Sequence, residues 1–174
     1  MNMPDLITML GNLSRSLIAV EYLVTGISYI VGLTLIISSI FMLKKISNAA
    51  GHSQEDHFKV FAVLLMGSLL LFLPTSIRVL SDTVFGSENI LSYSNYNQMN
   101  IFQSMGVLLK TVGLIWFVRG CMLVANASQP GEQHGIRGLF FIVSGILAMN
   151  FKLTMSAVLY IVNKLINLSI TFKL

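Results

Sequence analysis

The chain has 174 residues, 55% of them hydrophobic and only 10% charged. Soluble domains carry about 25% charged residues, and a domain of this length has too little interior to hide so much apolar surface. A membrane protein is therefore the first reading. The formal net charge of +4 is spread over segment ends, which argues against a nucleic-acid footprint, since that needs a clustered basic patch.

In chain order, the opening MNMPDLITML has an acid and no basic residue before its apolar positions, unlike a cleaved signal peptide. Leu6, Leu10, Leu13 and Leu17 recur at helical spacing among Asp5, Asn12, Ser14 and Arg15. That pattern predicts an amphipathic helix on the membrane over residues 1–20. The plainer alternative is a lead-in to the first span. Four apolar runs follow: Tyr22 to Leu43, Phe58 to about Leu80 with Pro74 inside it, Ile101 to Ala125, and Leu139 to about Val162. Each is long enough to cross a hydrocarbon core of about 30 Å as a helix, the form in which a single chain segment satisfies its own backbone groups in lipid. Asn150 and Lys152 interrupt the fourth run, so the chain from Leu153 onward is read either as its continuation or as a separate interfacial helix.

The expected fold is an all-α membrane protein. About four transmembrane helices form two tandem helical hairpins, 22–81 and 101–174, joined by a loop at 82–100. The loop between the first two runs holds Lys44, Lys45 and Lys59, and the loop between the last two holds Arg137. The middle loop has no Lys or Arg. The positive-inside rule puts the two short loops in the cytoplasm and both termini on the outer side. Within ASQPGEQHGIRG, Pro130 and Gly131 signal a turn, and Gly135 and Gly138 let helices end and restart. This stretch is the cytoplasmic turn of the second hairpin.

The two halves look like a tandem duplication. Thr25, Gly32 and Ser39 align with Gly106, Gly113 and Gly120, and Gly67 aligns with Gly145. The interruption at Pro74 then falls over Lys152. A spacing of seven puts small residues in one stripe, and small side chains let lipid-embedded helices approach. Gly106, Gly113, Gly120 and Ala127 extend such a stripe along the third run. The stripes serve packing inside one bundle or packing between subunits.

Cations inside apolar runs invite functional readings. Lys110 and Lys152 lie about 23 Å across the membrane from the cytoplasmic ends of their helices, at 1.5 Å per residue. Arg78 lies further along. Either these side chains snorkel to headgroups, or they line a shared lumen or hold phospholipid. Arg119 is expected to snorkel at the cytoplasmic end. His52, His57 and His134 match no metal-ligand spacing, the single Cys121 excludes an intrachain disulfide, and no nucleophile, paired-carboxylate or phosphate-loop motif occurs. No enzyme and no cofactor are expected; phospholipid is the one ligand the cations admit.

MPDLITMLGNLSRSL, LFLPTS at 71–76, VFGSENILSY at 84–93, VGLIWFVRG at 112–120, ASQPG at 127–131 and GILAMN at 145–150 together carry a family resemblance. In order and spacing the chain resembles IcmC/DotE-like inner-membrane proteins of type IVB (Dot/Icm) secretion systems and their TraQ-like relatives in IncI-type conjugation systems. The resemblance implies a non-catalytic subunit of a bacterial secretion or conjugation apparatus in the inner membrane. Its partners would be membrane lipids, itself as a homo-oligomer, or other membrane subunits of the machine. The alternative is a pilin-like subunit polymerising into a filament with bound phospholipid. A small channel is a third reading, but it would need several polar groups near the midplane, and the sequence supplies few.

Overall fold

A computed structural model describes residues 6–48, 54–86, 101–127 and 135–171. All the elements in it are helices: α1 (Leu6–Asn48), α2 (Gln54–Leu71), α3 (Leu73–Phe85), α4 (Ile101–Ala127), α5 (Gly135–Met149) and α6 (Phe151–Thr171). Two stretches are long and apolar enough to cross a membrane, Gly11–Ser47 and Ser104–Ala127. The count rises to four if each of the bent pairs α2–α3 and α5–α6 is one span.

The first difference from the sequence reading is at the N-terminus. No break separates a surface helix over 1–20 from the first span. Leu6 to Asn48 is one helix of 43 residues, about 65 Å long at 1.5 Å per residue. The segment 18–22, IAVEY, contains neither proline nor glycine, so nothing stops propagation there. The leucine spacing marked a face of the helix and not its end.

The second difference is the shape of the later runs. The axis turns by 102° between α2 and α3 and by 95° between α5 and α6. At the first bend Pro74 stands in the opening turn of α3. Its ring lacks an N–H and crowds the carbonyl four residues back, so the straight helix ends just before it. The Phe72 amide still donates to the Ser68 carbonyl, and the Phe72 carbonyl accepts from Ser76. At the second bend no proline is present, and side chains serve instead. Asn150 Nδ2 donates to Ser81 Oγ (2.6 Å) and to the Ile146 carbonyl (2.9 Å). Thr154 Oγ1 donates to the carbonyls of Leu147 (2.8 Å) and Asn150 (3.1 Å). The fourth run, expected to reach about Val162, thus ends as a straight helix at Met149, and its second part is a separate helix, α6, set at an angle to the first. At the other side of the first half, α3 ends on Gly86, whose φ of 85° lies in the left-handed region that glycine adopts without strain.

The interior is small. Leu70, Leu73, Phe117 and Cys121 are almost wholly buried, with Leu114, Ile142, Ile146 and Met149 around them. Helix α4 is central: it packs on α5 on one side and on α1 and α2 on another, and α1 also packs on α2. Most of α1 and nearly all of α6 from Met155 to Leu168 remain exposed and largely apolar. Such a surface suits lipid or another apolar chain.

Candidate functional site

The glycines lie where helices cross. A Cβ added at Gly32 would stand 2.6 Å from the Leu71 amide nitrogen and 2.8 Å from the Gly67 carbonyl oxygen. At Gly113 it would stand 2.8 Å from the Met149 amide nitrogen and 2.7 Å from the Gly145 carbonyl oxygen. The two crossings therefore use the same backbone atoms at corresponding positions: a glycine carbonyl and the amide four residues later. A Cβ at Gly145 would in turn stand 2.7 Å from the Gly113 carbonyl oxygen, and one at Gly67 3.1 Å from the Gly32 carbonyl oxygen. Backbones this close gain dispersion contacts and weak Cα–H···O attraction without any side-chain cost.

Toward the far end of α4 the two halves differ. A Cβ added at Gly120 would stand 2.7 Å from the Ile142 nitrogen and 2.8 Å from the Gly138 carbonyl, so glycine again meets glycine. Its counterpart Ser39 is fully buried on α1, with its hydroxyl turned back to the Ile36 carbonyl at 2.7 Å. Gly106 is only half-buried. Gly135 opens α5 beside Ala127, where an added Cβ would stand 3.4 Å from the Ala127 Cβ, an ordinary contact. Pro130 and Gly131 lie outside the described residues. Five of the stripe residues, Gly32, Gly67, Gly113, Gly120 and Gly145, are thus filled by the chain's own helices. Gly138, read from sequence only as a turn residue, belongs with them. Its spacing of seven from Gly145 was the signal that α5 carries the matching stripe.

The cations part company. Lys110, read as facing headgroups or a lumen, pairs with Glu21 of α1 at 2.6 Å, and both side chains are more than two-thirds covered. The pair ties the two halves together. A charged group in apolar surroundings is far less costly with its counter-charge at contact. Glu21 carried a legible signal, as the single acid between Asp5 and Glu55. Arg119 stands over the Phe141 ring, 5.4 Å from its centroid, and Phe141 meets Trp116 edge to face at 6.2 Å. This is cation–π and aromatic packing on the outer side of the α4–α5 pair. Arg78 and Lys152 are exposed on α3 and near the start of α6.

Several hydroxyls bond back to their own helices. Thr25, Ser28, Thr34, Ser68 and Thr111 each donate to a carbonyl three or four residues earlier. Such back-bonding satisfies a hydroxyl where lipid offers no partner. Among the described residues no three His, Cys, Asp or Glu converge as a metal group would require. Cys121 is buried and unpaired. Comparison with family models, curated proteins and solved structures finds no match for this chain.

Proposed function

We propose that the chain is a non-catalytic structural subunit of a bacterial envelope apparatus of the type IVB secretion or conjugation class, seated in the inner membrane. It is built as two tandem helical hairpins related by duplication, with both termini on the outer side. The observation that carries the structural role is the use of its polar side chains. Glu21–Lys110 and Asn150–Ser81 join one helix pair to the other, and the hydroxyls of Thr25, Ser28, Thr34 and Ser68 are spent on their own helices. A scaffold needs such links. An enzyme or a polar pore would need polar groups directed at a shared space. The secretion-system assignment is supported by the sequence resemblance to IcmC/DotE-like and TraQ-like proteins, and the orientation by the Lys and Arg distribution.

Duplication is supported by the matching atoms of the two crossings. Gly32 over Gly113 is a step of 81 residues, and Gly67 over Gly145 a step of 78. The second step also carries Leu71 onto Met149, Phe72 at one bend onto Asn150 at the other, and Lys59 onto Arg137. The test is to shear surface filaments from cells carrying the apparatus and to assay both filaments and inner membrane for this chain. The reading expects it in the membrane alone, co-purifying with other membrane subunits. Recovery in the filament would replace this reading by the pilin-like one.

A further inference from the structure

The contact between the two helix pairs is not reciprocal. Helix α4 packs on both α1 and α2, whereas α5 makes no comparable contact with either. Two equivalent units joined by a two-fold axis would bury the same patch on each. Here unit one, α1 with α2, offers one flank, and unit two, α4 with α5, docks a different flank upon it. Residues on a helix advance about 100° each, so the two flanks can be placed relative to the glycine stripe. On α1 the covered flank beside the stripe carries Val24, Val31 and Leu35, which pack against the core. On α4 the flank turned to α1 and α2 carries Leu114, Val118 and Cys121, all buried, on the opposite side of the stripe.

Each flank has an unpartnered equivalent elsewhere in the chain. The step of 81 carries Val24, Val31 and Leu35 onto Met105, Val112 and Trp116, which are 47%, 41% and 42% exposed. The reverse step carries Leu114, Val118 and Cys121 onto Leu33, Ile37 and Ile40, which are 51%, 45% and 57% exposed. A donor surface and an acceptor surface of the internal contact are therefore both present, apolar and uncovered, at opposite ends of one chain. We propose that a second copy of this chain docks by its α1 flank (Leu33, Ile37, Ile40) on the α4–α5 flank (Met105, Val112, Trp116), repeating between chains the contact that joins the two pairs within one. Copies then add head to tail. This rests on the duplication advanced above.

A second observation points to the same occupant. Inside the chain, Ser81 of α3 meets Asn150 at the bend of the other unit. One step onward the corresponding pair is Leu159 of α6 and Phe72 of the next copy. Both are apolar, and they are 56% and 60% exposed. A polar pair sealed within the chain is matched by an apolar pair at the positions the next contact would bring together. By sequence alone the ion pair behaves alike: the positions equivalent to Lys110 and Glu21 are Tyr29 and Phe102. Both partners of each polar pair have been exchanged together, as a contact that recurs between copies requires. A heterologous contact of this kind closes into a ring or extends as a filament, according to the rotation per step.

Thiol crosslinking in native membranes tests this, in a Cys121→Ala background. One tagged chain carries Leu33→Cys and a differently tagged chain carries Val112→Cys. Their coexpression should yield a crosslinked heterodimer, and both substitutions on one chain should yield a ladder of dimers, trimers and higher species. Adding Trp116→Ala should reduce the ladder about tenfold, as expected of an aromatic anchor at an interface. The pair Val31→Cys with Leu114→Cys reports the internal contact as an intrachain crosslink. An intrachain crosslink without any interchain product overturns head-to-tail docking and leaves the duplication standing, with lipid covering both flanks. Absence of both removes the internal contact between the helix pairs, and with it the pattern that the docking repeats. A dimer formed by Leu33→Cys alone overturns the proposal in favour of a two-fold contact.

Discussion

At the scale of single residues the glycines are ranked by what a methyl group would meet. Gly113 and Gly145 face backbone atoms at 2.7 Å, while Gly67 meets its nearest neighbour, an Ile36 side-chain carbon, at 3.0 Å. Gly26 on α1 has nothing within 4 Å. Gly113→Ala and Gly145→Ala should each destabilise by about 1–3 kcal/mol, the usual cost of overpacking. Gly67→Ala should cost less, and Gly26→Ala, in open space inside a helix, should gain about 0.5–1 kcal/mol. Thermal unfolding in mild detergent checks the order, and a Gly113→Ala protein as stable as wild type would remove the tight crossing. The ion pair is tested by reversal. Glu21→Lys puts two cations at contact distance and should lower the melting temperature, whereas Glu21→Lys combined with Lys110→Glu should recover most of the loss. A double variant no better than the worse single one would mean that the pair contributes no stabilisation.

At the scale of helices, the two bends arise from different chemistry at corresponding positions. Pro74 ends α2 by sterics and a missing donor, so Pro74→Ala should let α2 and α3 approach one straight helix. Spin labels at Phe61 and Val84, both exposed, would then separate from about 22 Å to about 34 Å along the axis, at 1.5 Å per residue. An unchanged distance would mean that packing of α3, and not the proline, sets the bend. The second bend depends on a hydrogen bond to another helix, so Asn150→Leu should lose about 1–2 kcal/mol and loosen α6. Greater mobility of a label on Leu165, with no change at Phe61, would locate the effect. This contrast also explains what the sequence made legible. The proline bend could be read because its cause is local. The Asn150 interruption was visible, but its partner Ser81 was not, since only the fold brings them together. The glycines stood out by spacing, which is also local; Glu21 stood out by composition, yet its pairing with Lys110 depends on how α1 and α4 cross. At the N-terminus the apolar stripe marks a face and says nothing about where a helix ends, so the continuity of Leu6–Asn48, which fits the lead-in alternative, is not legible from it.

At the scale of the whole molecule, the described residues form two glycine-locked helix pairs, and the Glu21–Lys110 ion pair, the Asn150–Ser81 hydrogen bond and the buried face of α4 link one to the other. Fragments 1–86 and 87–174, coexpressed with separate tags, should co-purify from membranes, and Lys110→Glu in the second should weaken that association several-fold. Independent behaviour of the two fragments would mean that the chain connection, and not the interface, holds the halves together. The Glu21–Lys110 pair has a consequence in time as well. Ribosomes deliver Glu21 long before Lys110, so a nascent chain that has released α1 to the bilayer carries an unanswered carboxylate until α4 arrives. Such a charge is a handle for the cell's quality control. A chain truncated at Gly86 should be degraded quickly, and Glu21→Gln in that same fragment should lengthen its half-life in a pulse–chase experiment. Equal half-lives would show that the carboxylate goes unread. In that light the ion pair is a signature of assembly: neutrality is reached only once α4 has joined α1.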